Sequence, residues 1–184
     1  MKIMIASDIH GSSACAEKLL DIFEREQPER LLLLGDLLYH GPRNALPLQY
    51  ETMRTAELLN KYKDKILAVQ GNCDAEVDQC VLEFPIFEDH RTLTVGDRTI
   101  YATHGHRYGP HNVPMTLGAG DILLCGHTHV PAWDHLPYGV LYFNPGSVSI
   151  PKGGSPNSFM MLTDGEVLWA DLDSNVYHSF RMDE

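Results

Sequence analysis

The sequence predicts an α/β fold, and three observations predict it: short apolar runs recur along the chain, helical apolar spacing separates the first of them, and each ends in a polar cluster. The runs are residues 2–6, 30–34, 65–70, 98–103 and 121–125, rich in Ile, Leu and Val. Nearly continuous apolar runs of this length are what strands buried on both faces look like. Between the first two runs, residues 13–26 carry Ala16, Leu19, Leu20, Ile22 and Phe23 at helical spacing, and Pro28 stops the pattern. Residues 50–62 repeat the rhythm with Met53, Ala56, Leu58 and Leu59. A β-α-β-α-β order calls for parallel strands joined by right-handed crossovers. The later part changes character: 139–143, 159–163 and 166–172 read as antiparallel strands, and Asp164-Gly165 reads as a hairpin turn between the last two.

The 184 residues suit one domain spanning 1–184, with 43% hydrophobic and 21% charged residues. A formal net charge of −11 opposes passive binding to a nucleic-acid backbone, although it does not oppose a cation-centred site. Residues 1–6 form one short apolar run without the longer core and cleavage site of a signal peptide. No run approaches the roughly 18 apolar residues of a membrane span. Cys15, Cys73, Cys80 and Cys125 show no CxxC spacing, so free thiols and a cytoplasmic location are expected.

In open α/β sheets ligands bind beyond the carboxyl ends of strands, which is where the polar clusters fall. Asp8-Ile9-His10 sets a carboxylate and an imidazole two apart, on one side of an extended chain. Gly35-Asp36 offers a carboxylate able to bridge two cations, beside a glycine that lets backbone approach closely. Asn72, in Gly71-Asn72-Cys73-Asp74, is a neutral oxygen donor or simply a turn residue. His104 ends its own strand, and His127-Thr128-His129 gives two imidazoles two apart. Singly these are turn residues and structural histidines. Together Asp8, His10, Asp36, Asn72, His104, His127 and His129 form a mixed O/N donor set, without thiolates, suited to two borderline divalent cations such as Mn, Zn, Fe or Co. Two such ions generate a nucleophile and clamp both oxygens of a displacement at phosphorus.

The order D-X-H, G-D, G-N-X-D, H-G-H and G-H-T-H across residues 8–129 resembles the calcineurin-like metallophosphoesterase superfamily. The short chain and Asn144-Pro145-Gly146-Ser147 are similar to its small bacterial phosphodiesterases of the YfcE type. The resemblance implies a four-layer α/β/β/α sandwich with a dinuclear site at one edge. It places Asp8, His10 and His129 on one ion, Asn72, His104 and His127 on the other, and Asp36 between them. It further implies a bridging hydroxide as nucleophile, with Asp36, Asn72 and His104 central to catalysis. Mn is the expected metal, with Zn, Fe, Co and Ni as alternatives, and the group is compatible with a homodimer.

Many superfamily members carry His directly after this Asn, where it serves the leaving group; here the residue is Cys73. A thiol is a weak donor, so activity is expected on small diesters or aryl esters and to be weak on alkyl monoesters. A packing role for Cys73 is the stronger bland reading. Gly11, Arg43, Asn44 and His106 are further candidates for substrate contact, each with a turn or solvated-surface reading beside it. His40, His90, His111, His135 and His178 are read as surface residues, and Trp133 and Trp169 as packing. Two rival readings are a nuclease of the same superfamily and a non-catalytic scaffold. The acidic charge opposes the first and the complete donor set the second.

Overall fold

In the computed structural model, which describes residues 1–182, two mixed sheets pack face to face and helices flank them. The first half alternates as expected: β1 (Ile3–Ala6), α1 (Ser13–Glu26), β2 (Arg30–Leu33), α2 (Thr52–Asn60) and β3 (Ile66–Ala68), with β1, β2 and β3 paired in parallel. After the four-residue α3 (Glu76–Gln79) come β4 (His90–Val95), β5 (Arg98–Thr103), β6 (Ile122–Leu124) and β7 (Pro131–His135). The chain closes with β8 (Leu141–Pro145), β9 (Ser158–Leu162), β10 (Glu166–Asp171) and β11 (Val176–Arg181). One sheet runs β11-β10-β9-β1-β2-β3 and the other β4-β5-β6-β8-β7.

The continuous apolar runs are explained by two-sided burial. In β1, Met4 and Ala6 join Leu31 and Leu33 against the helices, packed on Leu19, Phe23 and Leu59. The alternate residues Ile3 and Ile5 join Leu32 against Ile100, Leu124 and Phe143 of the second sheet. Each fully buried Leu, Ile or Phe contributes roughly 1.5–3 kcal/mol. Helix α1 matches its expected span. The Ser12 hydroxyl accepts the Cys15 N–H at 3.3 Å at its start, and Gln27, with φ 50°, ends it before Pro28.

Three strands escaped the sequence reading. β4, β7 and β11 lie at sheet edges and are partly exposed, so none carries a continuous apolar run. The stretch 139–143 is shifted and differently paired: residues 137–139 make a short 3-10 turn, with Tyr138 at φ 65° and Gly139 at φ 77°. The strand proper, β8, is parallel to β6 and antiparallel only to β7. The Asp164-Gly165 turn does join an antiparallel pair, β9 and β10. Trp169 is buried and donates from Nε1 to the Asn144 carbonyl at 2.8 Å. His178, expected at the surface, is half-buried, its ring stacked on Trp133 at 3.8 Å. Among the described residues no helix is long and apolar enough to cross a membrane, and the four cysteines are free.

Candidate metal centre

The loops that leave β1, β2, β3, β5 and β6 converge at one edge of the two sheets. The chain does not simply turn there. Asp8, His10, Asp36, His127 and His129 all adopt left-handed backbone, with φ between 49° and 67°. A non-glycine residue in that region costs on the order of 1–3 kcal/mol and persists only where its surroundings dictate it. The surroundings here do. The Asp8, His10 and Gly11 N–H groups donate to the Gly35, Asp36 and Leu37 carbonyls at 2.9–3.1 Å, carrying the β1–β2 pairing past the strand ends. The Asp8 carbonyl accepts from both Ser147 and Ser149 hydroxyls. Gly35 touches Gly71 so closely that a Cβ would lie 2.4 Å from the Gly71 nitrogen.

The side chains this scaffold turns inward fit a cation. His10, His104 and His129 each donate from Nδ1 to a backbone carbonyl, of Tyr39, Leu34 and Ile150 respectively, at 2.6 Å. In the neutral rings this turns the Nε2 lone pairs toward the cluster, the tautomer a metal ligand needs. There Nε2 of His129 meets Asp8 Oδ1 at 3.2 Å, and Nε2 of His104 meets Asp36 Oδ2 at 3.4 Å. His10 Nε2 stands 3.6 Å from Asp8 and 3.7 Å from Asp36. Asn72 Oδ1 faces His104 Nε2 at 3.0 Å. Acceptors gathered at these distances call for positive charge among them, a metal ion or, in its absence, the proton that His104 takes up. Asp8 Oδ1 is buried and accepts no hydrogen bond from the described residues. Asp8, His10 and His129 offer donor atoms all within 4.8 Å of one another, as do Asp8, Asp36 and His104.

Protonation reports the same field. Burial lowers the His104 imidazole, but Asp36 and Asp8 outweigh it and push the group up to about 9. Burial raises the Asp8 carboxyl, yet His10, His129 and His104 hold it well below the usual carboxylate range. Burial likewise opposes ionisation of Asp36, and His104 holds it below its ordinary value. His127, half-buried, is lowered by burial and by His104.

Asp36, Asn72, His127 and His129 form part of the wall of a cleft of about 260 Å³, completed by Arg43, Asn44, Cys73 and Lys152 among others. Asn72 and His127 thus sit at the cluster's open side, His127 with its ring 5.0 Å from that of His104. The Cys73 thiol borders this opening, within 4.8 Å of donor atoms of His10 and Asp36. Burial, then Asp36, pushes it up to about 12, so it is a neutral thiol near pH 7. His106 is exposed, 5.4 Å ring to ring from His104 and 6.3 Å from His127. Gly11 does not offer the expected phosphate contact. It is buried, its N–H is committed to Leu37, and a Cβ there would lie 2.8 Å from the Tyr50 ring.

A family model described as the calcineurin-like phosphoesterase superfamily domain matches residues 1–165. The chain belongs to the calcineurin-like phosphoesterase superfamily. It is 48% identical over 168 residues to a protein named phosphodiesterase YfcE of Escherichia coli K12, covering 91% of this chain and 90% of that one. A solved structure of the E. coli phosphoesterase superposes with a TM-score of 0.94 over 99% of this chain and all of the other, at 43% identity. The probable metallophosphoesterase YsnB of Bacillus subtilis is 30% identical over 170 residues, 89% of this chain and 84% of that one. Divalent metal ions are the cofactors this superfamily implies, and the clustered carboxylates and imidazoles are where this chain would hold them.

Three contributors went unassigned in the sequence. Asp74, 7% exposed, accepts the N–H groups of Asp36, Leu37 and Gly71 at 2.7–2.9 Å and so fixes the loop that carries Asp36. It ends the quoted Gly71-Asn72-Cys73-Asp74 block, so position was a signal, but only the fold shows what it braces. Ser147 supports Asp8 from far along the chain. Lys152 donates its backbone N–H to the His129 carbonyl at 3.0 Å and contributes to the cleft wall; a lone lysine in a loop carries no signal in sequence.

Proposed function

We propose that the protein is a metal-dependent phosphodiesterase acting on a small phosphodiester at a dinuclear centre. Asp8, His10 and His129 hold one ion; Asn72, His104 and His127 hold the other; Asp36 lies between. The observation that carries this reading is the close approach of inward Nε2 atoms to the Asp8 and Asp36 carboxylates, in a chain 48% identical to a protein named as a phosphodiesterase. Asp36 Oδ2 supports the shared role, facing His104 at 3.4 Å and His10 at 3.7 Å. The donor set of oxygen and imidazole suits manganese, with zinc, iron, cobalt and nickel as competitors.

When bound, two such ions supply a hydroxide nucleophile at neutral pH and charge compensation at phosphorus. The chain's own residues do the rest. The carbonyls of Tyr39, Leu34 and Ile150 fix the imidazole tautomers. Arg43, Asn44 and Lys152 on the cleft wall bind and orient the phosphoryl oxygens. Cys73 is a neutral thiol with weak donor strength, so a poor alkoxide leaving group gains little from it and alkyl monoesters react slowly. The exposed cationic side chains of the cleft are few against a net charge of −11, which favours a small molecule over a nucleic acid. The four free thiols support a cytoplasmic setting.

Elemental analysis of purified protein, paired with assays on bis(4-nitrophenyl) phosphate and 4-nitrophenyl phosphate, tests the whole reading. The expected result is two metal equivalents and a strong preference for the diester. Metal-loaded protein that releases no nitrophenol from the diester with Mn, Zn, Co, Ni or Fe sinks it. Cleavage of single- or double-stranded DNA with Mn at comparable rates moves the assignment to a nuclease.

A further inference from the structure

A second cavity, of about 430 Å³, shares Cys73 with the cleft over the metal cluster. Its chemistry is different. Tyr39, Tyr50, Met53, Val77 and Val81 supply much of its wall, and the cationic side chains of the cleft are missing from it. Its one acid, Asp78, is buried and accepts the Ala75 N–H at 2.8 Å, so that carboxylate is committed to its own turn. The wall is built onto the ligand loops. Tyr39 presents its carbonyl to His10 Nδ1 while its ring stays 41% exposed, and Tyr50 packs directly over Gly11, the residue after His10. Met53 on α2 and Val77 on α3 stand in water, 57% and 69% exposed. Exposed apolar side chains gathered around a hollow beside polar chemistry mark a ligand surface.

We infer that this cavity receives one ester substituent of the substrate, an aryl or other apolar group, while the phosphoryl group and the second, polar substituent lie in the cleft with Arg43 and Lys152. The inference rests on the phosphodiester reading. Adjacency points to the occupant: Cys73 borders both hollows, so a substituent on phosphorus at the cluster has the second one beside it. The volume suits a ring-sized group, toward the small end of the ~300–1,000 Å³ of small-molecule sites. The substrate class is therefore a phosphodiester with unlike arms, one apolar and one hydrophilic.

Calorimetric binding of diphenyl phosphate and dimethyl phosphate to the metal-loaded protein tests this without turnover. Diphenyl phosphate is expected to bind about tenfold tighter, the effect of partly burying one aromatic ring. The double variant Met53→Gln/Val77→Asn changes two exposed, uncharged positions, so the fold and the anion site persist. It is expected to cut the preference to about threefold or less and to leave dimethyl phosphate affinity within about twofold. Equal binding of the two esters by the wild type, or an undiminished preference in the variant, overturns the inference and leaves the phosphodiester reading standing. Failure of both esters to bind, together with failure to hydrolyse the diester, overturns the reading and the inference with it.

Discussion

Asp8, His10, Asp36, His104 and His129 are between 0% and 3% exposed, whereas Arg43 and Lys152, which line the cleft above them, stand in solvent. The inner groups are fixed twice over. Backbone hydrogen bonds hold their left-handed loops, and carbonyl acceptors hold their rings. The rim side chains have no such framework around them. The contrast separates two tasks. Holding cations demands donor atoms placed to a few tenths of an ångström, and receiving substrate demands charge that can move to meet it.

The contrast is broken most severely from within the inner ring, at a residue outside the proposed ligand set. Replacing Asp74 by Ala strands three buried N–H groups, those of Asp36, Leu37 and Gly71. An unsatisfied buried donor costs about 1–3 kcal/mol, so Asp74→Ala is expected to lose about 3 kcal/mol or more of stability and most of its metal affinity. Urea unfolding with an unchanged slope measures the first and elemental analysis the second. A loss under about 1 kcal/mol would mean that the loop carrying Asp36 holds its shape unaided.

Removing metal acts on the same ring with a smaller effect. An ion present at 100 times its dissociation constant stabilises the fold by about 2.7 kcal/mol. For a chain of this size that corresponds to a fall in Tm of roughly 5–10 °C on chelation. His129→Ala is expected to abolish most of that shift, because it removes an Nε2 donor facing Asp8. Arg43→Ala is expected to keep it. A shift that survives His129→Ala would place the bound ion elsewhere.

Inner ring and rim also differ in how far the sequence announces them. The ring residues sit at the ends of β1, β2, β3, β5 and β6, where a continuous Ile/Leu/Val run stops at Asp, Asn or His; two-sided burial writes that signal. α1 was equally readable, because its apolar spacing is stopped by Pro28. Edge strands such as β4, with burial alternating along its length, dilute the run into ordinary polar sequence. At the site, Asp74 was visible as a residue but not as a brace, since its three partners come from two separate loops. Gly11 was misassigned because close packing under Tyr50 and approach to a phosphate both select glycine. Lys152 was invisible, since only the tertiary contact of its backbone with His129 brings it to the cleft.

The mildest changes belong to the rim and sharpen the comparison furthest. Arg43 and Lys152 are flexible, exposed cations, and one exposed charge on an anionic ligand contributes on the order of 1 kcal/mol. Arg43→Ala and Lys152→Ala are each expected to raise KM for bis(4-nitrophenyl) phosphate by about three- to tenfold, with kcat and metal content nearly unchanged. Added salt should shrink both effects, because screening acts on exposed charge and not on the buried ring. The two positions are not equivalent, however. The Lys152 backbone is tied to the His129 carbonyl, so Lys152→Pro removes a hydrogen bond that steadies a ligand loop, whereas Lys152→Ala removes only the charge. Lys152→Pro should therefore lower kcat and metal content as well as raise KM, turning a rim substitution into an inner-ring one. If Lys152→Pro and Lys152→Ala behaved alike, the loop bearing Lys152 would have no part in holding His129.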